Sequence, residues 1–225
     1  MGTVKRKPQT EKARLKEVLA RLRKAYPDAR CSLDHNGPLE LLIATILAAQ
    51  CTDERVNKVT PALFEKYPTA ADFAHIPQEE LEKDIFSCGF YRNKAKSIRK
   101  ACLAVVERFD GRMPGTMKEL LTLDGVGRKT ANVILSECFN TPGIIVDTHC
   151  QRLAKRLGFT QQQEPDRIEQ DLAALCPEKD RAVLSHSLVF HGRAICQARA
   201  PKCSNCVIRD LCPFPDTPEG LTLAK

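Results

Sequence analysis

Three observations predict an all-α fold for this chain of 225 residues. Apolar residues recur at intervals of three and four along most of the chain, which is the periodicity of an amphipathic helix. Capping residues, prolines and glycines divide the chain into segments of helical length. Residues 141–146 (TPGIIV) are the only stretch with the character of a β-strand. A chain of this length also buries a core that is stable without disulfides.

Local signals predict the first long helices. Pro38 begins an apolar run, LELLIATILAAQ, whose length favours a buried helix over a strand. Over residues 92–109 one face is apolar and the other carries lysines and arginines, so one side of this helix packs and the other meets water. The apolar face comprises Ala95, Ile98, Cys102, Val105 and Phe109.

Two short helical signals follow each other closely in the middle of the chain. Thr116 and Glu119 have the spacing of a capping box, which predicts a short helix that ends near Thr122. Apolar residues then resume at helical spacing from about Arg128, which predicts a second helix. The two helices are separated only by a glycine-rich turn.

The C-terminal third is also predicted to be helical. Asp147 stands where a helix N-cap belongs, ahead of a helix that ends at Gly158. Two more helices are predicted over residues 165–175 and 179–191. The final segment is rich in cysteine.

The turn LDGVGRKTA predicts a tight hairpin between the two central helices. Glycines permit backbone conformations closed to other residues and allow a partner to approach closely. The N–H groups of Gly125, Val126 and Gly127 are then expected to point outward at the positive end of the second helix. Such a site binds phosphate without reading base sequence. A helical corner without any ligand is the alternative that this spacing equally allows.

Lys129 lies in the first turn of the second hairpin helix, where the positive end of the helix dipole repels its charge. The dipole and the neighbouring Arg128 favour the neutral amine, which is the form that a nucleophile requires. On chemistry alone, the alternative is a surface lysine that contacts phosphate or pairs with a carboxylate.

The eleven cysteines are expected to be free thiols or metal ligands rather than disulfides. Four of them follow the pattern C-x6-C-x2-C-x5-C, and a set this compact can surround one metal centre. Only one close pair is present, so the spacing favours a four-iron, four-sulfur cluster, with structural zinc as the alternative. The loop after the first cysteine carries Arg199 and Lys202, which suit phosphate contacts. The four cysteines are Cys196, Cys203, Cys206 and Cys212.

The net charge of +7 lies entirely within residues 1–30, which hold ten lysines and arginines against three acidic residues. Any nucleic-acid surface in the rest of the chain must therefore come from the pattern of charges. The chain has no signal-peptide pattern and no apolar run of about 18 residues, so no membrane contact is expected. The expected location is intracellular, and cytoplasmic or in the nucleoid if the source is bacterial.

Three motifs, taken in order, resemble endonuclease III, a family of helix-hairpin-helix DNA glycosylases with lyase activity. The motifs are LDGVGRKTANVIL, IIVDTHCQRLAKR, and HGRAIC with the cysteine set, and the resemblance runs from about Arg14 to Cys212. It implies two helical domains flanking a DNA-binding groove. The expected organisation is a basic, flexible tail (1–9), a six-helix barrel (31–141) with the hairpin at about 117–136, and a discontinuous domain (10–30 with 142–225) carrying the cluster loop (196–212).

The resemblance implies a monomeric, bifunctional enzyme of base excision repair whose partner is damaged double-stranded DNA and whose cofactor is one 4Fe-4S cluster. It would remove oxidised or ring-saturated pyrimidines and then cleave 3′ to the abasic site by β-elimination. Lys129 matches the catalytic amine, which forms an imine with the sugar, and Asp147 matches the catalytic carboxylate. The alternatives are a monofunctional mismatch or adenine-type glycosylase, and a non-enzymatic DNA-binding module with structural zinc.

The resemblance also implies residues that contact DNA. Gln50 and Phe90 match positions that enter the duplex and fill the space left by the flipped nucleotide, although spacing alone would make Phe90 a core residue. His149 is a candidate for lining the site, with a structural role as the alternative. Asp124 stands where proline is common in this family. The other expected DNA contacts are Gly125, Val126, Gly127, Arg128, Arg199 and Lys202.

Overall fold

The computed structural model describes residues 10–223, and its fold is all-α, as predicted, because no strand occurs in that range. Residues 1–9, predicted as a basic tail, and residues 224–225 lie outside the described residues. In chain order the α-helices are α1 (Glu11–Ala25), α2 (Pro38–Leu47), α3 (Asp53–Lys66), α4 (Ala70–His75), α5 (Gln78–Asp84), α6 (Tyr91–Phe109), α7 (Met117–Leu120), α8 (Arg128–Cys138), α9 (Thr148–Arg156), α10 (Pro165–Leu175), α11 (Arg181–Ala194) and α12 (Pro218–Leu223). Short 3-10 turns lie at Phe86–Cys88, Glu178–Asp180, Cys203–Asn205, Arg209–Leu211 and Phe214–Asp216.

The described chain forms two compact units. One comprises Cys31–Thr141, and we call it the hairpin unit because it contains α7 and α8. The other combines the segment that ends at Arg30 with the segment that begins at Pro142. We call it the cysteine unit because it contains the four C-terminal cysteines.

Helix α2 is the central element of the hairpin unit. The apolar run predicted as a buried helix is buried on nearly every side, and α2 packs against α3, α6 and α8. Burial of so much aliphatic surface supplies the main stabilisation of this unit. Its fully buried residues include Leu41, Leu42, Ile43, Ala44 and Leu47.

Helix α6 confirms the amphipathic pattern predicted for residues 92–109. Ala95, Ile98, Cys102 and Val105 are fully buried, whereas Phe109 at the end of the helix is half-buried. The same face packs against α4 and α5. One polar exception, a buried lysine in the first turn, breaks the apolar stripe.

Helices α1, α9, α10 and α11 build the core of the cysteine unit together with Ile144 and Val146. The predicted helix over 165–175 is present, whereas the one predicted over 179–191 begins at Arg181 and runs on to Ala194. Gly158, with φ of +69°, follows α9 as predicted, because a glycine accepts this left-handed conformation without strain. In residues 10–223 no helix has both the length and the apolar character needed to span a bilayer.

Residues 141–146, the stretch with the most strand-like sequence, form no strand, in agreement with the predicted all-α class. The segment is extended, but no neighbouring strand pairs with it among the described residues. Its buried Ile145 amide donates instead to the Ser185 hydroxyl on α11 at 2.9 Å, and that hydroxyl donates to the Arg181 carbonyl at 3.0 Å. The Ser185 hydroxyl therefore accepts the amide hydrogen bond that a neighbouring strand would otherwise accept. This bond holds the segment that leads to Asp147.

Replacing Ser185 by Ala should lower the free energy of unfolding by about 1–3 kcal/mol, because the buried Ile145 amide loses its acceptor. Ser187 provides a matched control on the same helix, since it is fully buried and its hydroxyl has no partner among the described residues. Ser187→Ala should leave the unfolding free energy unchanged or raise it. Urea denaturation measures both variants, and equal losses would contradict the role assigned to Ser185.

Candidate functional site

The hairpin begins with α7, which is shorter than predicted. Its N-cap Thr116 accepts a hydrogen bond from the Glu119 amide at 3.3 Å, and its hydroxyl donates to the Glu119 carboxylate at 2.7 Å. The helix ends at Leu120 rather than near Thr122, and turn-type bonds then lead to the glycines. Buried Leu123 anchors the turn to the core.

The backbone conformation and the surrounding space require glycine at only one of the two hairpin positions. Gly125 has φ of +75°, and a Cβ there would lie only 3.2 Å from the Cβ of Ser97. Gly127 has φ of −97°, and a Cβ there would meet no atom within 4 Å. The fold therefore needs Gly125, whereas Gly127 leaves open space at the start of α8. Open space at an N-cap without a side-chain hydrogen bond lets an anion approach the first amides of the helix.

Only part of the predicted row of outward amides is present. The Val126 amide donates to the Leu123 carbonyl at 3.2 Å, so the prediction that it points outward is wrong. The Val126 side chain is buried, because the turn closes over its own backbone at this residue. For the amides of Gly125 and Gly127, no acceptor is found in the described part of the chain. These two amides are the donors that the turn can offer to an anion.

Lys129 is exposed in the first turn of α8. No ion pair of the described residues includes it. The neighbouring acidic residue, Asp124, pairs instead with Lys100 at 3.7 Å, which partly offsets the negative charge that this chain places in the hairpin. The Lys129 amine is therefore accessible and is not held by a carboxylate.

Gln50 and Phe90 both have left-handed backbone conformations, with φ of 53° and 48°. Among the described residues only two other non-glycine residues share this conformation. It costs of order 1–3 kcal/mol per residue and tends to persist at functional sites. Phe90 is 63 % exposed, so the interpretation as a core residue is wrong for it, and Gln50 is exposed as well.

The hairpin unit contains a pocket of about 260 Å³ that brings several of the predicted residues together. Gln50, Phe90 and the hairpin residue Gly125 line it, and so does Thr130, which follows Lys129 in the chain. The pocket offers both hydrogen-bonding groups and apolar surface, because its remaining lining residues are Thr45, Ile46, Ala49, Asn93, Lys94 and Ser97.

Asp147 in the cysteine unit is the N-cap of α9, as predicted. One carboxylate oxygen accepts the Cys150 amide at 2.7 Å, which fixes the direction of the side chain. His149 packs against Gly192, where a Cβ would lie 2.7 Å from its Nδ1, and that nitrogen is 3.1 Å from Arg152. Burial lowers the pKa of His149, which favours the neutral imidazole.

The four cysteines of the predicted metal site line one cavity within the cysteine unit. None of them forms a disulfide. Burial raises the pKa of Cys206 to about 11 and that of Cys212 to about 12. Because metal centres bind thiolates, loading this site releases protons and contributes to folding. The thiols are those of Cys196, Cys203, Cys206 and Cys212.

The geometry of these thiols fits an iron–sulfur cluster better than zinc. A single zinc ion requires four ligands at about 2.0–2.3 Å. Within residues 10–223 no three cysteine, histidine, aspartate or glutamate side chains converge closely enough for one ion. Four thiols that line one cavity without converging on a single point instead suit a centre that contains several metal and sulfur atoms.

Arg156 lines the same cavity and was not among the predicted site residues. Its buried guanidinium donates to the carbonyls of Gln197 and Ala198, each at 2.8 Å, and lies 4.2 Å from the ring centre of Phe214. These bonds hold the loop that presents the exposed Arg199 and Lys202. A basic residue in the last turn of α9 was the available signal, but its long-range partners lie about forty positions away.

His191 is a second missed residue. It is the histidine of the HGRAIC motif, is almost fully buried, and lies between Tyr26 and Cys206. Its Nδ1 is 2.9 Å from the Tyr26 hydroxyl and its Nε2 is 3.3 Å from the Cys206 sulfur. Burial lowers the pKa of His191 to about 4, so the ring is neutral at pH 7.

Comparison with known proteins identifies the family. Residues 43–178 match a family model described as HhH-GPD superfamily base excision DNA repair protein, and residues 196–212 match the iron-sulfur binding domain of endonuclease III. Endonuclease III of Synechocystis sp. is 53% identical over 214 residues, which cover 95% of this chain and 98% of the relative.

Two solved structures at 45% identity, each with a TM-score of 0.86, cover 91% of this chain. One is a non-covalent endonuclease III–DNA complex, of which 96% is covered, and the other is a trapped endonuclease III–DNA covalent intermediate, of which 97% is covered. These matches favour neither the monofunctional glycosylase nor the zinc module. The chain belongs to the endonuclease III family of helix-hairpin-helix base excision repair enzymes, and it is a DNA glycosylase with AP lyase activity that carries an iron–sulfur cluster.

Proposed function

We propose that this enzyme removes oxidised or ring-saturated pyrimidines from duplex DNA, with Lys129 as the nucleophile and Asp147 as the catalytic carboxylate. The observation that carries the proposal is the exposed Lys129 amine in the first turn of α8, beside the open N-cap at Gly127 and without a carboxylate partner among the described residues. The trapped covalent intermediate known for a relative supports the same chemistry.

The reaction begins when the damaged nucleotide leaves the base stack, and damage reduces the free energy needed to unpair it. The Lys129 amine attacks C1′ of the sugar, the bond from C1′ to the base breaks, and the base leaves with the electron pair and takes up a proton. Ring opening converts the adduct into an imine. Loss of a C2′ proton then expels the 3′ phosphate by β-elimination, and water hydrolyses the imine to release Lys129.

Asp147 supports these steps either by stabilising the positive charge on the sugar or by transferring protons. Its carboxylate is half-buried, and one oxygen is engaged by the Cys150 amide, which leaves the other oxygen for the substrate. A cap that fixes a carboxylate limits its reorganisation during the reaction, so the structural and catalytic roles are compatible.

We infer that the enzyme is a monomer that holds DNA through several backbone contacts and two inserted side chains. Gly125, Gly127 and Arg128 would bind phosphate at the start of α8, and Arg199 and Lys202 would add phosphate contacts from the cluster loop. Gln50 and Phe90 would fill the space of the flipped nucleotide. His149 would support Asp147 through α9 rather than contact DNA, because it packs against Gly192. The bacterial nucleoid is the proposed site of action.

Cys196, Cys203, Cys206 and Cys212 are the proposed ligands of the 4Fe-4S cluster. When bound, the cluster supplies four metal–thiolate bonds that cross-link residues 196–212. Arg156 and His191 support these ligands from outside, since Arg156 lies 3.4 Å from the Cys196 sulfur and His191 lies 3.3 Å from that of Cys206. Together these contacts give the exposed basic loop a fixed shape.

Borohydride should trap the wild-type protein covalently on duplex DNA that contains an abasic site, because hydride reduces the imine formed by Lys129. Lys129→Gln should form no trapped complex. Lys118→Gln, on the exposed face of the other hairpin helix, is the control and should be trapped at the wild-type rate. Electrophoresis of the reduced complex measures the yield, and undiminished trapping by Lys129→Gln would overturn the proposed nucleophile.

Asp147→Asn should slow base release by roughly a hundredfold, because it removes a charge aimed at the transition state. The amide oxygen still accepts the Cys150 N–H, so the melting temperature should stay close to the wild-type value. Asp28→Asn, an exposed carboxylate of the same unit, is the control and should keep full activity. Single-turnover assays on a duplex with one lesion measure the rate of base release. An unchanged rate in Asp147→Asn would show that Asp147 acts only as a helix cap.

Arg156→Met should make trypsin cut after Arg199 or Lys202 about tenfold faster, because the loop loses both bonds that hold its carbonyls. The variant should also bind undamaged duplexes of every sequence more weakly. Lys155→Met, which removes the preceding cation of α9 and leaves these bonds intact, is the control. Cleavage rates equal to those of the wild type would show that Arg156 does not restrain the loop.

A further inference from the structure

Lys94 is a buried cation in the first turn of α6, with only 5% of its surface exposed. Its ammonium group donates to the Leu47 carbonyl at 2.8 Å and to the Cys88 carbonyl at 2.9 Å. No carboxylate pairs with it among residues 10–223. A buried charge is retained only where hydrogen bonds satisfy it, so these two carbonyls are its essential partners.

Each of the two carbonyls ends a helical element just before one of the proposed inserting residues. Leu47 is the last residue of α2, three positions before Gln50. Cys88 is the last residue of the 3-10 turn, two positions before Phe90. Carbonyls at helix C-termini carry partial negative charge, which makes them suitable partners for an ammonium group. The Lys94 amide also donates to the Phe90 carbonyl at 3.1 Å.

Both loops need an external restraint because Gln50 and Phe90 have left-handed conformations that their side chains do not favour. Such conformations persist only where the surroundings over-determine them. Gln50, Phe90 and Lys94 line the same pocket of about 260 Å³. One ammonium group thus connects the two loops that line this pocket.

We propose that Lys94 is a positioning residue that holds the Gln50 loop and the Phe90 loop at a fixed separation, so that both side chains enter the duplex together. This inference rests on the proposed function. A lysine suits the role because its compact ammonium group can donate to two carbonyls from different elements at once. The rival explanation is a purely structural one, in which Lys94 stabilises the hairpin unit and has no effect on insertion.

The titratable groups that face Lys94 are the thiols of Cys51 and Cys88. Burial lowers the pKa of Lys94, and the two sulfurs oppose this shift only in their charged thiolate form. Burial raises the pKa of the Cys88 thiol to about 11, so this neighbour is neutral at pH 7 and contributes no competing negative charge. The main-chain carbonyls therefore remain the groups that orient the ammonium.

Lys94→Met, which keeps the length and apolar volume of the side chain, tests the proposal. Base release from a duplex with one ring-saturated pyrimidine should fall by about tenfold or more, since misplaced inserting residues no longer stabilise the flipped state. Borohydride trapping on an abasic site in single-stranded DNA needs no insertion and should stay near the wild-type level. Lys96→Met removes an exposed cation of the same helix and serves as the control, with both rates unchanged.

A double-mutant cycle separates positioning from stability. In a Gln50→Ala, Phe90→Ala background the Lys94→Met change should have almost no further effect on base release, because residues that act as a unit are non-additive. A 2-aminopurine opposite the lesion should also report less unstacking in Lys94→Met than in the wild type. A full tenfold loss in the double-variant background, or an equal loss of trapping on single-stranded DNA, would overturn the proposal.

If Lys94→Met does not fold, Lys94→Arg keeps the charge but changes the reach and geometry of the donors. Amide hydrogen exchange should then accelerate at residues 48–52 and 88–91 together, while the rest of α6 stays protected. Unchanged exchange in both loops would contradict the inference. If the proposed function itself were wrong, the wild-type protein would neither release the base nor be trapped. If only this inference were wrong, the wild-type protein would still do both.

Discussion

Hydrogen bonds from two buried cations to main-chain carbonyls restrain three loops of this protein: the cluster loop, the Gln50 loop and the Phe90 loop. Arg156 holds two carbonyls of the cluster loop, and Lys94 holds the carbonyls that precede Gln50 and Phe90. A charge removed from water is stable only while its hydrogen bonds are made. Loop conformations that would break these bonds are therefore disfavoured. The Gln50 loop and the Phe90 loop can therefore keep backbone conformations that their own residues do not favour.

Two lysines of the hairpin unit show how the surroundings set the role of a side chain. Lys129 lies exposed at the start of a helix, without a carboxylate partner in the described chain, and its amine is accessible to a substrate. Lys94 lies in the first turn of another helix, is buried, and donates hydrogen bonds to two carbonyls. The first environment suits covalent chemistry and the second suits a restraint, although the two residues have the same functional group.

Local signals predicted a large share of the helices and of the site. Asp147 caps α9 because an N-cap is decided within four residues, and the apolar face of α6 follows from the helical repeat alone. The strand-like sequence of residues 141–146 forms no strand, because a strand exists only if another strand pairs with it. In this chain the Ile145 amide bonds to Ser185, forty positions further on.

The sequence by itself determined the all-α class, the Gly-x-Gly hairpin with its lysine and the set of four cysteines, because each depends on residues close together in the chain. Tertiary structure decided that Phe90 is exposed, that the Val126 amide turns inward, and that the four thiols surround one cavity. It also assigned Arg156 and Lys94 to their carbonyls. Those outcomes depend on how segments meet in space, which spacing along the chain does not encode.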